Sequence, residues 1–356
     1  MSMSYPRLVL LFSCLLLLYR PAATAAAASP KPDTVHVAYQ PFASPAGALF
    51  EVIKRDRLLR QGLERHGLKL KFTLLLKGSD TFEGLRNKSL DITTMGEMPL
   101  LEASVQAPLT VIGQHKQNYS SVITQRGLQA KDLKGKRIGN AFASSGHFTL
   151  LKTLKNAGMT ERDVTLVQMD VTAMPEALLS GKIDAFAAWE PTTSLFIAKH
   201  PDRFSNLGRQ ANSAYLVCER TFAAQHPDAV TQFAAAMARA MHWLSKGKTN
   251  QLQAAAWNLE AMQKLSGKPV SISQDELAQQ INLDLQAINY NARLPAQSNK
   301  PNGQLAEAFL FLKQNARLPQ SAQWEQVRTI FRHDVMERVY RKPALSGLHR
   351  SDYEYQ

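Results

Sequence analysis

Cysteine is almost missing from this chain. Only two of its 356 residues are cysteine. Cys14 lies in an N-terminal segment that reads as a cleaved leader, which leaves Cys218 alone. A single thiol closes no internal disulfide, so a disulfide-stapled secreted scaffold is excluded. Metal-ligand spacing is missing too. The 9 histidines are scattered, with no His-Glu-x-x-His and no cysteine pair. Neither a Gly-x-x-x-x-Gly-Lys-Ser/Thr phosphate loop nor a Gly-x-Ser-x-Gly elbow occurs. No nucleophile stands beside an identifiable base, so the expectation is a protein without cofactor, metal or catalytic apparatus. The chain carries 42 Lys and Arg against 29 Asp and Glu, yet no run of five or more basic residues. That surplus reads as a solvated basic surface and not as a nucleic-acid footprint.

Residues 1–28 have the layout of a signal peptide: Arg7, an apolar stretch over 8–19, then small residues over 22–28. The apolar stretch is shorter than the roughly 20 residues of a spanning helix. The rest of the chain is organised around residues 170–191. A polar loop (170–173) leads into a short helix stopped by Gly181. A buried strand (182–188) then ends in Trp189-Glu190-Pro191. In open α/β sheets, ligands sit beyond the carboxyl ends of strands, which is where Trp189 and Glu190 fall. Residues 77–99 repeat this unit. A shift of 93 positions lays Glu83 on Glu176, Leu90 on Ile183, Asp91 on Asp184 and Glu97 on Glu190. At a shift of 100, Phe42-Ala43-Ser44 falls on Phe142-Ala143-Ser144. The reading is an α/β protein of two doubly wound lobes joined by a hinge. Lobe 1 takes 34–120 plus 212–290 and lobe 2 takes 121–211. Helices follow over 291–340, including one continuous helix over 321–339, and a frayed tail over 341–356. Residues 109–113 and 121–124 are expected as separate strands around a polar stretch, and 204–208 leads to 214–218 as the return to the first lobe.

Two chemistries stand out at the loop ends. Ser44 and Ser144-Ser145 begin helices that follow strand ends, and helix N-termini hold anions through unpaired backbone N–H groups. The same serines serve equally well as caps of their own helices, with Pro45 as the first helical residue of one. Glu97 and Glu190 form the second pair. Two carboxylates bind an amine, act as general acid and base, or simply make salt bridges and caps. Phe42 and Trp189 suit an apolar ligand stem, and equally a core. His147 sits beside a helix start.

These segments resemble a family. Residues 131–139 (KDLKGKRIG), Ser144-Ser-Gly-His-Phe148 and the helix ending Asn156-Ala-Gly158 are similar to the second lobe of aliphatic sulfonate-, taurine- and nitrate-binding proteins. Leu90-Asp91 with Gly96-Glu-Met-Pro99, and Ser180-Gly-Lys-Ile-Asp-Ala185 through Trp189-Glu-Pro191, resemble two further segments of that family. The resemblance spans roughly residues 34–245. It implies a type II periplasmic-binding-protein fold: a non-catalytic, monomeric, periplasmic solute-binding protein of an ABC importer. Its partners would be a small anion or zwitterion, taurine or an alkanesulfonate first, and a membrane permease, with no nucleic acid. The cleft residues it implies are Gln40, Phe42, Gly96, Glu97, Ser144, Ser145, His147, Trp189 and Glu190. Ser44 and Thr172 of the polar loop complete the candidate set. An enzyme or a sensor on the same bilobal scaffold is the alternative.

Overall fold

The computed structural model describes residues 33–76, 80–142 and 144–355. The leader read at 1–28 lies outside them. β1 (Asp33–Tyr39) leads into α1 (Ala46–Lys54) and α2 (Arg57–Glu64). β2 (Leu68–Leu74), α3 (Asp80–Arg86), β3 (Ile92–Gly96) and α4 (Glu97–Ser104) complete the first run. β4 (Leu109–Gln125) carries the chain to a second set: β5 (Arg137–Asn140), α5 (Ser145–Asn156), β6 (Thr165–Gln168), α6 (Met174–Leu179), β7 (Ala185–Trp189) and α7 (Thr192–Lys199). β8 (Phe204–Glu219) returns. The remainder is helical: α8 (Arg220–Gln225), α9 (Pro227–Leu244), α10 (Lys248–Ser266), α11 (Gln274–Gln286), α12 (Gln304–Gln314), α13 (Trp324–Val327), α14 (His333–Arg341) and α15 (Pro343–Ser346).

The eight strands form one sheet in the order β2-β1-β3-β8-β4-β7-β5-β6. Its two ends have the same build. In one, β2, β1 and β3 are parallel and β3 meets β8 antiparallel. In the other, β6, β5 and β7 are parallel and β7 meets β4 antiparallel. The internal repeat is visible in the strands, since a shift of 93 carries β3 onto β7 residue for residue.

Each end is covered on both faces, as a doubly wound sheet requires. Along β7, Phe186 and Ala188 pack with Met174 and Phe196 on one face. Ala185 and Ala187 pack with Ile138, Leu150 and Leu154 on the other. At the first end, Tyr39, Phe50 and Phe233 anchor one face, and Met95, Val217 and Phe309 the opposite one. Each of the larger aliphatic, methionine or phenylalanine side chains, fully buried, contributes about 1.5–3 kcal/mol.

Three expectations are corrected. The strands foreseen at 109–113 and 121–124 are one strand, β4, and residues 204–208 and 214–218 both belong to β8. The two pair antiparallel from Leu109 opposite Glu219 to Gln125 opposite Phe204, with register shifts at 111/113, 114/116 and 122/123. The intervening polar residues are buried, among them Gln114, His115, Lys116, Asn118 and Ser120. Polarity here marks the middle of the sheet and not a surface loop. Secondly, the helix expected over 321–339 is broken, because residues 330–332 lie alongside β4. The Thr110 hydroxyl donates to the Ile330 carbonyl at 2.9 Å, and Arg332 N–H donates to the Val111 carbonyl at 2.8 Å. Thirdly, the tail is packed rather than frayed. Tyr353 bridges to Asp56 and is 4% exposed, with its ring 5.3 Å from that of Trp243.

Candidate functional site

The loops at the carboxyl ends of β1, β3, β5 and β7 converge on one cleft of about 90 Å³. A water needs roughly 10–15 Å³ by the same measure, so this is room for a small solute. From the first half come Gln40, Phe42, Ser44, Thr94 and Gly96. From the second come Ala141, Phe142, Ser144, Ser145 and Trp189. The β4–β8 ribbon lays His115, Lys116, Asn212 and Ala214 between them.

The second-half wall is set by α5. Ser144 caps it, its hydroxyl accepting the His147 N–H at 3.2 Å while donating to the Ala141 carbonyl at 2.6 Å. Leu150 and Leu154 hold the helix to the sheet against Ile138, Ala185 and Ala187, while Phe148 and Leu151 pack into the other half's core, the Phe148 ring 4.7 Å from that of Phe311. Gly146 permits the close approach, for a Cβ there would stand 2.6 Å from the Ala187 carbonyl oxygen. The α5 N-terminus thus presents positive dipole charge to the cleft. A hydroxyl chain reinforces it. The Asn212 amide donates to Ser120 Oγ at 2.8 Å, and Ser120 donates to Ser145 Oγ at 2.9 Å. That leaves the Ser145 proton to donate elsewhere.

The floor carries the one cationic side chain among the residues lining this cleft. Lys116 is 5% exposed, and burial pulls its pKa down against the attraction of Asp284, Glu190 and Glu97. Beside it, burial and the Lys116 charge push His115 down to about 3, so its ring is neutral. Its Nε2 bonds the Thr94 hydroxyl.

The candidate residues separate into groups. Gln40, Phe42, Ser44, Gly96, Ser144, Ser145 and Trp189 line the cleft. Thr172 lines a neighbouring hollow of about 630 Å³ that shares Phe42, Ser44 and Leu76 with it. Glu97, Glu190 and His147 line neither. Glu97 is wholly buried, accepting the Ser213 N–H at 3.2 Å and the Gln304 amide at 2.8 Å. Burial pushes its carboxyl up to about 8. Glu190 accepts the Ser194 N–H at 2.9 Å in the first turn of α7. His147 Nε2 stands 2.6 Å from Glu161 Oε1.

Ser44 is in the cleft wall, yet it does not cap α1. Pro45 occupies that position, and the Ser44 hydroxyl donates to Asp284 of α11 at 2.5 Å. Asp284 also accepts from Asn118 at 2.7 Å and Gln280 at 3.0 Å. Thr94, His115, Lys116, Asn212 and Asp284 were not anticipated. The available signal was the dense polar run 114–120 between two apolar strand halves.

A protein of Bacillus subtilis (strain 168) named as an aliphatic sulfonates-binding protein is 28% identical over 201 residues, 54% of this chain and 60% of its own length. The taurine-binding periplasmic protein of Escherichia coli (strain K12) is 26% identical over 209 residues, 56% of this chain and 63% of that protein. The chain therefore spans a little under two thirds of the curated relatives it matches. In structure it is similar to the alkanesulfonate-binding protein SsuA of Xanthomonas axonopodis pv. citri. The TM-score is 0.63 at 21% identity, covering 85% of this chain and 99% of that one. The bilobal periplasmic-binding-protein fold is thereby shared. A sequence profile described as NMT1/THI5 like matches residues 64–247, just over half of the chain, and the chain belongs to that family.

Proposed function

We propose that this chain is the extracytoplasmic solute-binding component of an ABC importer, and that it captures a small anionic or zwitterionic organosulfur compound, taurine or an alkanesulfonate, between its two halves. The observation that carries the reading is the cleft itself. It gathers four strand-end loops from two similar halves around a helix N-terminus and a buried lysine. The names of the relatives point the same way.

The mechanism is closure. A ligand touching the β1 and β3 loops on one side and the α5 N-terminus on the other binds the closed form more tightly than the open one, so it shifts the population toward closed. The closed monomer then docks on a membrane permease. A leader over residues 1–28 delivers the chain to the periplasm. No chemistry is assigned to the solute. The acid–base pair that an enzyme reading would use, Glu97 and Glu190, does not line the cleft.

A thermal-shift panel tests this, with alkanesulfonates, taurine, nitrate, amino acids and pyrimidines as additives. A true ligand at 100 times its Kd stabilises the folded state by about 2.7 kcal/mol, a Tm rise on the order of 5 °C for a chain of this size. Stabilisation by a sulfonate is the expected outcome. A flat response to every anion overturns the proposal.

A further inference from the structure

We propose that Lys116 is the charge that receives the ligand's acidic group, and that it makes the cleft select a simple organic sulfonate over an aminosulfonate zwitterion. The inference rests on the solute-binding reading above and narrows it.

Lys116 sits in β4 where the ribbon register shifts, opposite Ala214. It lines the cleft and is 5% exposed. Among the described residues its ammonium has no hydrogen-bond or ion-pair partner within contact distance. A buried charge without a contacting partner is strongly unfavourable. A ligand anion entering the cleft supplies that partner. The second contact is at hand across the cleft, where the Ser145 hydroxyl and the first N–H groups of α5 face the same space.

The carboxylates near Lys116 are committed elsewhere. Asp284 accepts from Ser44, Asn118 and Gln280. Glu190 accepts a backbone N–H of α7, and Glu97 accepts from Ser213 and Gln304. None of the three lines the cleft, and no other Asp or Glu does. Within the cleft a ligand ammonium therefore meets no carboxylate, Glu176 lining only the neighbouring hollow, and it faces a lysine and a helix N-terminus of its own sign. An apolar chain fares better. Phe42, Leu76 and Trp189 line the way, and Phe42 and Leu76 also wall the hollow of about 630 Å³ beyond.

The test compares 1-butanesulfonate with taurine by titration calorimetry on the mature chain and on Lys116→Met. Lys116→Gln serves as a second variant should the first not fold. The wild type is expected to bind 1-butanesulfonate at least about tenfold more tightly than taurine, the cost of an unpaired polar group. Lys116→Met is expected to lose about thirtyfold or more on 1-butanesulfonate, as when one partner of a buried pair is removed. Its Tm without ligand should equal or exceed that of the wild type, which a merely structural lysine would not allow. Butanesulfonate affinity within threefold of wild type in both variants overturns the role of Lys116, and so does taurine binding as tightly as butanesulfonate. If the wild type ignores sulfonates but binds nitrate or a carboxylate, and Lys116→Met loses that anion, the organosulfur reading fails and the role of the lysine stands. Failure of the wild type to bind any anion overturns both.

Discussion

Replacing Glu97 by Gln tests how the floor of the first half is charged. Glu97 is fully buried and accepts two hydrogen bonds on one oxygen, Oε2. Its other oxygen has no partner. Burial is the largest influence on its carboxyl and pushes it from an ordinary 4.5 up to about 8. Native protein then holds this proton over a pH range in which the unfolded chain has released it. The native state binds the extra proton, so stability falls as pH rises from 4.5 toward 8. Each unit in that window costs about 1.4 kcal/mol. Between pH 5 and pH 8 the wild type should therefore lose on the order of 3 kcal/mol relative to a variant that cannot titrate there. Groups that do not feel Glu97 cancel in the difference between the two proteins; Lys116, which Glu97 attracts, does not cancel fully. The introduced amide keeps an oxygen for Ser213 and Gln304 and leaves its NH₂ unpaired, a fixed cost of about 1–3 kcal/mol at every pH. Urea unfolding at half-unit steps from pH 5 to pH 8 gives the difference directly. It should shift steadily in favour of Glu97→Gln as pH rises. A flat difference, or one of opposite slope, refutes the burial argument and makes Glu97 an ionised group buried away from the cleft.

Two further substitutions probe how the cleft is held. Gly146→Ala places a methyl 2.6 Å from the Ala187 carbonyl oxygen and 3.0 Å from Ala188 Cα. It should destabilise by about 1–3 kcal/mol despite the better helix propensity of alanine, and it should weaken solute binding by pushing the α5 N-terminus off β7. Equal Tm and affinity would count against the close approach. Arg239→Leu strips the partner from Asp56, a pair 2.6 Å apart with side chains 2% and 1% exposed. Chemical denaturation should show a loss of about 3–5 kcal/mol, and a loss below about 1 kcal/mol would show that the carboxyl takes up a proton without penalty.

The features legible in the sequence are those set by local chemistry. Ser144 follows a strand and precedes an amphipathic stripe, so its capping role was readable, and the repeat predicted matching strands ending at Gly96 and Trp189. Partner choice across the chain was not. Ser44 looked like a cap because Pro45 follows it, but its hydroxyl is taken by Asp284, 240 residues away. Glu97 looked like a loop carboxylate, and its partner Gln304 lies 207 residues on, in a helix with no counterpart in the repeat. Lys116 was hidden by the rule that charged residues sit outside. A run of Gln, His, Lys, Gln and Asn reads as loop unless something at the centre of the molecule needs polar groups.

The β4–β8 ribbon would give the proposed closing motion a particular character. Because the two halves share these strands, any relative rotation would bend a hydrogen-bonded beam and would not swing on a slack tether. Beams yield where they are weakest, and the register break between Gln114 and Lys116 is such a point. Lys116, proposed above to receive the solute's charge, borders that break, so closure by bending there would move the lysine with the ribbon.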